Sequence, residues 1–313
     1  MEQILLSLLN GVVYGLVLFM VSAGLTLIFG MMGVLNFAHA SFYMLGAYFA
    51  YTLQEALGFW AALVAAPLLV GLIGMAVERY FLRRVHRHGH AHELLLTFGL
   101  SFIIAELIKL FFGNYPVDYR VPPSLDFSAF SIGAMQYPFY RLLMGGIAIA
   151  MFAAVYVLLT RTRVGIVVRS AIHKPQMAEA LGHNVPLVFM AVFGAGAALA
   201  GLAGAVAGAF YTTNPNMALE LGVVVFVVVV VGGLGSLTGA MLASLLIGVL
   251  MSLAVAVDRS LADLLTLAGA GAWVHEAGGL LTLKLSSLAA TLPFALMLLI
   301  LLLRPGGLLG EKA

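Results

Sequence analysis

The chain has 313 residues, of which 63% are hydrophobic and 9% charged, and its net charge is +2 with a mean hydropathy of +1.11. So apolar a composition places it in a membrane and excludes a sizeable soluble domain. The small net charge excludes nucleic acid as a partner, and the absence of cysteine excludes disulfides and thiolate chemistry.

Met1-Glu2-Gln3 lacks the basic stretch of a signal peptide, and the apolar run behind it is too long for one. The first helix therefore reads as a retained span. Apolar stretches near the ~20 residues that a bilayer demands predict helices near 4–29, 37–54, 59–83, 93–112, 139–160, 187–210, 237–257 and 285–303. The run Val223 to Val231 inside a further stretch, 221–231, would read as a strand in water. In lipid an open strand leaves backbone groups unpaired, so a short or broken helix near 221–236 is expected. The expected fold is an all-α polytopic membrane protein with about nine membrane segments, forming one transmembrane domain over 1–313.

Lysine and arginine in short loops set the orientation. Arg79, Arg83, Arg84 and Arg87 form one group, Arg161, Arg163, Arg169 and Lys174 a second, Arg304 and Lys312 a third. All three can share the cytoplasmic side, with the N-terminus outside and the C-terminus cytoplasmic. The segment 113–138 then falls outside. So does 258–286, which is too polar at Asp258, Arg259, Asp263, His275, Glu276 and Lys284 for a clean span and reads as an external insert of unknown role.

Two segments break the helical pattern at polar residues. One runs from Gly30 to Ser41 and contains Asn36 and His39; the other holds Gly232, Gly233, Gly235 and Ser236. Paired breaks in the two halves point to a translocation path, because freed backbone groups are tolerated where they line a cavity. Helix capping by Asn36, His39 and Ser41 is the alternative, and both readings stand at this point. Glu106 and Lys109 are spaced to pair on one helix face. Small-residue stripes at Gly196, Ala200, Gly204 and Gly208, and at Gly11 and Gly15, read as close helix packing. His86, His88, His90 and His92 read as a solvated loop, and no metal site is expected. No phosphate-binding GxxxxGK[ST] loop, HExxH pair or GxSxG elbow occurs. No catalytic residues are expected, and ATP would be bound only by other subunits.

A polar island, Lys174-Pro175-Gln176-Met177-Ala178-Glu179-Ala180-Leu181-Gly182, stands within the loop 161–186. Pro175 suits the first helical position and Gly182 the residue just past the end. About two turns of helix result, too short to span a bilayer. On a cytoplasmic loop, such a helix is either a docking knob or an ordinary loop helix.

Gly24-Leu25-Thr26-Leu27-Ile28-Phe29-Gly30, then Gly33-Val34-Leu35-Asn36-Phe37-Ala38-His39, then Met44 to Tyr48, Thr97 to Ser101, Gly232 to Ser236 and Arg304 to Gly310 occur in that order. With them the chain resembles permease subunits of ATP-binding cassette importers of the branched-chain (hydrophobic) amino acid type. The resemblance puts the island, with Lys174, Pro175, Met177, Ala178, Glu179, Ala180, Leu181 and Gly182, where that family has its coupling helix. It implies a second, related but non-identical permease subunit, two cytoplasmic ATPase subunits and an external solute-binding protein. It implies a bacterial inner-membrane location and no cofactor in this chain. Urea and short amides are substrates of related permeases, and an ion-coupled secondary transporter is the competing class. The polar insert departs from the family pattern.

Overall fold

Nearly every apolar stretch is helical in the computed structural model, which describes residues 2–133, 135–257, 259–267 and 283–310. The chain opens with α1 (Glu2–Met32), α2 (His39–Leu57) and α3 (Phe59–Val77). A π-turn over Glu78–Leu82 and the short α4 (Arg83–Val85) continue α3. Then come α5 (His90–Phe112), a hairpin of β1 (Ser128–Ile132) and β2 (Met135–Pro138), α6 (Phe139–Arg161), α7 (Arg163–His173) and α8 (Pro175–Ala180). The second half holds α9 (Val185–Gly208), α10 (Met217–Gly232), α11 (Leu237–Val257), α12 (Leu261–Leu267) and α13 (Leu292–Leu303). Among the described residues six helices are long and apolar enough to cross a membrane, and α10 and α13 are shorter apolar helices.

The core forms around α9, which packs against α1, α2 and α3. Lipid gives helices no hydrophobic reason to associate, so they must touch closely over small residues. A Cβ on Gly204 would fall on the Tyr43 carbonyl oxygen of α2. One on Gly201 would lie 2.9 Å from Val70 of α3, and one on Gly196 2.7 Å from Ile28 of α1. The α1–α11 crossing works in the same way, with Gly15 set against the backbone of Ser244 and Leu245.

Several elements differ from the sequence-based expectation. The last helix starts at Leu292, not near 285, because 285–291 forms successive tight turns such as Ser287 N–H to the Lys284 carbonyl (3.1 Å) and Leu288 N–H to Leu285 (3.2 Å). Pro293, which has no N–H to donate, sits in that helix's first turn. The loop 161–186 contains α7 as well as the short helix, started by the Thr162 hydroxyl accepting from Gly165 N–H at 3.3 Å. The segment 113–138 carries the hairpin, where Phe130 stacks on Tyr137 with centroids 5.2 Å apart. Most of the insert 258–286, including His275 and Glu276, lies outside the described residues.

Gly204→Val should lower the melting temperature in detergent, because backbone facing backbone has no flexible atom to yield; overpacking of this kind costs about 1–3 kcal/mol. Gly99→Ala, with nothing within 4 Å of the added carbon, should leave it unchanged. Equal melting of the two variants would contradict this packing.

Candidate functional site

The first break begins where α1 stops. Gly33, at φ 65°, lets the chain leave the helix, and 33–38 turns back along α1 before α2 starts. His39 marks how far it returns: its Nε2–H donates to the Val21 carbonyl at 2.9 Å, about two-thirds of the way along α1. The Asn36 carboxamide oxygen accepts from Ala38 N–H at 3.0 Å, closing an Asx turn. Thr97 of α5 accepts from Phe37 N–H at 3.2 Å. Asn36, His39 and Ser41 are all buried. Asn36 Nδ2 and His39 Nδ1 are also buried, and neither has a hydrogen-bond partner in the structure.

These three residues line a groove of about 440 Å³ between α2, α5 and α10. Phe37, Phe98, Phe102 and Phe226 give it an aromatic wall. Phe37 stacks on Phe226 (6.0 Å, 16°) and meets Phe98 edge-on (6.3 Å, 86°). Glu106 and Lys109, paired at 2.7 Å, border the same groove. The groove is therefore apolar along its walls and polar at both ends. It runs along the flank of the bundle, where Phe98, Leu219 and Val223 stay exposed.

The second break is built differently. Gly233, at φ 100°, ends α10, and a Cβ there would meet the backbone of Gly306 and Gly310. Leu308 N–H donates to the Val231 carbonyl at 2.8 Å and Leu309 N–H to that of Gly232 at 3.1 Å. The C-terminal segment thus satisfies carbonyls that the end of α10 would leave open. Ser236 caps α11, its hydroxyl accepting from Gly239 N–H at 3.1 Å. The two breaks meet backbone to backbone where Gly30 faces Gly235, yet Gly232, Gly233, Gly235 and Ser236 lie outside the groove lining.

At the bundle end that carries the arginine groups, α8 stands out from the surface. Pro175 occupies its first turn and Lys174 the position before it. Gly182 sits just past its end at φ 86°. Gly182 N–H donates to the Glu179 carbonyl (2.9 Å) and His183 N–H to that of Ala178 (3.0 Å), which is a Schellman closure. Only Ala178 is buried, against Ala171, Val185 and Phe189. Lys174, Glu179 and Ala180 are exposed, as are Met177 (61%) and Leu181 (76%). Two large apolar side chains are thus held in the open on a stiff, two-ended cap.

Sequence reading missed one polar cluster beside this end. Glu93 of α5, almost fully buried, accepts from His86 Nδ1 and from His90 Nδ1 (3.2 Å). Glu78 in the π-turn binds Arg83 at 2.6 Å, and Arg83 reaches the Pro186 carbonyl at 2.8 Å. Histidines alternating beside arginines read as a solvated loop, whereas Glu93, next to His92 and one turn from His90 in α5, is buried beneath them.

Apolar spans around a polar-ended groove, with an exposed capped helix at one end, define a polytopic membrane transport protein. The family described as "Branched-chain amino acid transport system / permease component" matches residues 7–301, and the chain belongs to it. The chain is similar to the high-affinity branched-chain amino acid transport system permease protein LivH of Salmonella typhimurium (28% identical, covering 97% of this chain and 95% of that protein). LivH of Escherichia coli K12 is similar to the same extent (28%, 97% and 95%). BraD, the permease protein of the corresponding system in Pseudomonas aeruginosa, is 26% identical over 97% of this chain and 95% of its own length. No solved structure matches.

Thr97→Val removes the acceptor for Phe37 N–H. It should cost about 1 kcal/mol, the ordinary net worth of one such bond, and speed hydrogen exchange at the Phe37 amide. Unchanged exchange there would mean that the first break is held by something else.

Proposed function

We propose that this chain is the membrane-spanning permease subunit of an ATP-binding cassette importer for branched-chain or other hydrophobic amino acids. It is a multi-pass protein of the bacterial inner membrane. The observation that carries the reading is the pairing of a groove at the first break with a rigid, exposed apolar knob at one end of the bundle. Family membership supports the amino-acid class. The aromatic wall of Phe37, Phe98, Phe102 and Phe226 supports an apolar cargo.

In this reading the substrate moves along the groove past Asn36, His39 and Ser41, whose unspent hydrogen-bonding groups suit a polar backbone or water. A second, related permease subunit covers the open flank. The second break, Gly232 to Ser236, anchors the inner end of α10 to the C-terminal segment, so α10 moves with it. About nine crossing segments, with the N-terminus outside and the C-terminus cytoplasmic, put Lys174 to Gly182 on the cytoplasmic side. There Met177 and Leu181 dock into one of two ATPase subunits, with Glu179 beside them, and a solute-binding protein delivers substrate on the other face. ATP is held by the partners. The motion follows because docking differs between ATP-bound and ATP-free partners; equal contact with both states would shift nothing.

Met177→Asp combined with Leu181→Asp should cut ATP-driven uptake of radiolabelled leucine by about tenfold or more. Burying one such side chain is worth about 1.5–3 kcal/mol, and about 1.4 kcal/mol is a factor of ten. Melting should stay normal, since both residues are exposed. Full uptake would reduce α8 to an ordinary loop helix. Uptake that follows an ion gradient without ATP would favour a secondary transporter with Glu106 and Lys109 in its path.

Single cysteines test the orientation, on a chain that has none of its own. His88→Cys and Lys174→Cys should react with an impermeant reagent only from the cytoplasm, and Asp118→Cys only from outside. The opposite pattern at His88 would invert the topology.

A further inference from the structure

Two of the residues that line the groove are charged, Glu106 and Lys109. They stand in the last two turns of α5, away from the bundle end that carries α8. Phe98, Ser101, Phe102, Ala105, Glu106 and Lys109 recur at the three- and four-residue spacing of one helix face, so the pair shares its face with the aromatic wall. Lys109 Nζ donates to Glu106 Oε1 at 2.7 Å. The Glu106 side chain is 69% exposed and that of Lys109 31%. An ion pair this open to its surroundings adds little to stability, so packing does not account for its place. Charge in an apolar span points instead to a ligand route.

The pair sets one negative and one positive charge side by side, with no net charge between them. A simple anion or cation would meet one member as a like charge. An α-amino acid carries its ammonium and its carboxylate on one carbon. Its two charges can therefore lie antiparallel to the pair, each against its opposite, in charge-assisted hydrogen bonds. The remaining substituent then has a fixed direction. Phe102 comes four residues before Glu106, about 6 Å along the helix axis. It meets Phe98 edge-on, with centroids 4.9 Å apart. An apolar side chain on the same carbon reaches that wall while the charges stay on the pair. Asn216, just before α10, lines the groove too. Its carboxamide can accept from an ammonium or donate to a carboxylate.

We propose that Glu106 and Lys109 bind the charged end of an α-amino acid, Glu106 its ammonium and Lys109 its carboxylate, with an apolar side chain against Phe98 and Phe102. The proposal rests on the transport reading and places the substrate's head group within that groove. Three fixed contacts around one carbon also select its hand. Exchanging the two charges exchanges two of that carbon's four substituents, which turns a site for one enantiomer into a site for the other. The test is binding of radiolabelled L- and D-leucine to the transporter assembled with its ATPases but without a solute-binding protein, so that only the membrane site is read. Wild type should prefer L-leucine. Leucinamide and 4-methylpentanoate, each lacking one of the charges, should compete about tenfold less well. Glu106→Gln should weaken L-leucine about tenfold and leave 4-methylpentanoate unchanged. Glu106→Lys combined with Lys109→Glu keeps an ion pair and should shift the preference toward D-leucine, which a merely structural pair would not do. This double variant also serves if Glu106→Gln fails to assemble. Unchanged L-leucine binding in the variants, or none in wild type, would overturn the proposal. Wild-type ATP-driven leucine uptake, measured on the same preparation, separates the two readings. Normal uptake with binding indifferent to the pair overturns the head-group assignment alone, whereas a wild type that takes up no leucine overturns the transport reading beneath it.

Discussion

Helix α9 touches three neighbours at backbone distance, and the rest of the molecule is arranged around those contacts. Glycine at 196, 201 and 204 lets α1, α3 and α2 approach on different sides of one helix. Larger residues would hold the neighbours apart, and in lipid no hydrophobic force would compensate. Once α1 and α2 are both fixed to α9, the link between them has little freedom. Helix α2 must begin beside Val21, so 33–38 has to double back. Its polar groups then need partners inside the protein, and Thr97 and the Asn36 side chain supply some of them. The unmatched Asn36 Nδ2 and His39 Nδ1 are the remainder. The proposed path therefore begins as a consequence of packing.

The two breaks divide the labour. The first leaves hydrogen-bonding groups beside a groove. The second spends its own on the C-terminal segment, through Leu308 and Leu309, and on the cap of α11 by Ser236. A groove lined by α2, α5 and α10 thus has one wall tied to the end that carries α8. Helix α8 itself packs on α7 and α9, and α9 on α2, whose His39 lines the groove, so the proposed ATPase docking reaches the groove through α9 and α2.

The sequence announced what local physics decides. Apolar length located the spans, and the ban on open strands in lipid turned the valine run into α10, which is helical over Met217–Gly232. Pro175 and Gly182 bracketed α8 because each answers a steric demand of its own position. What stayed hidden depends on partners distant in sequence. The pairing of 308–309 with 231–232, and the burial of Glu93 under two histidines, have no periodic signature. Helix α7 was legible from Thr162 and the spacing of Val164, Val168 and Ala171, but its arginines drew it into a loop. The groove appears only when α5 and α10 are set side by side, so sequence offered Asn36, His39 and Ser41 without Phe226 or Phe98.

Water access to the groove decides the central claim, since a path carries water and a lipid-facing flank does not. Ser101 lines the groove, and Ser101→Cys is nearly isosteric. In the assembled, ATP-supplied transporter a small water-borne thiosulfonate should label Ser101→Cys, with saturating leucine and binding protein slowing the reaction. Ser22→Cys, buried within the bundle, should stay unlabelled. A transporter that moves leucine normally while Ser101→Cys never reacts would place the path elsewhere and contradict the account.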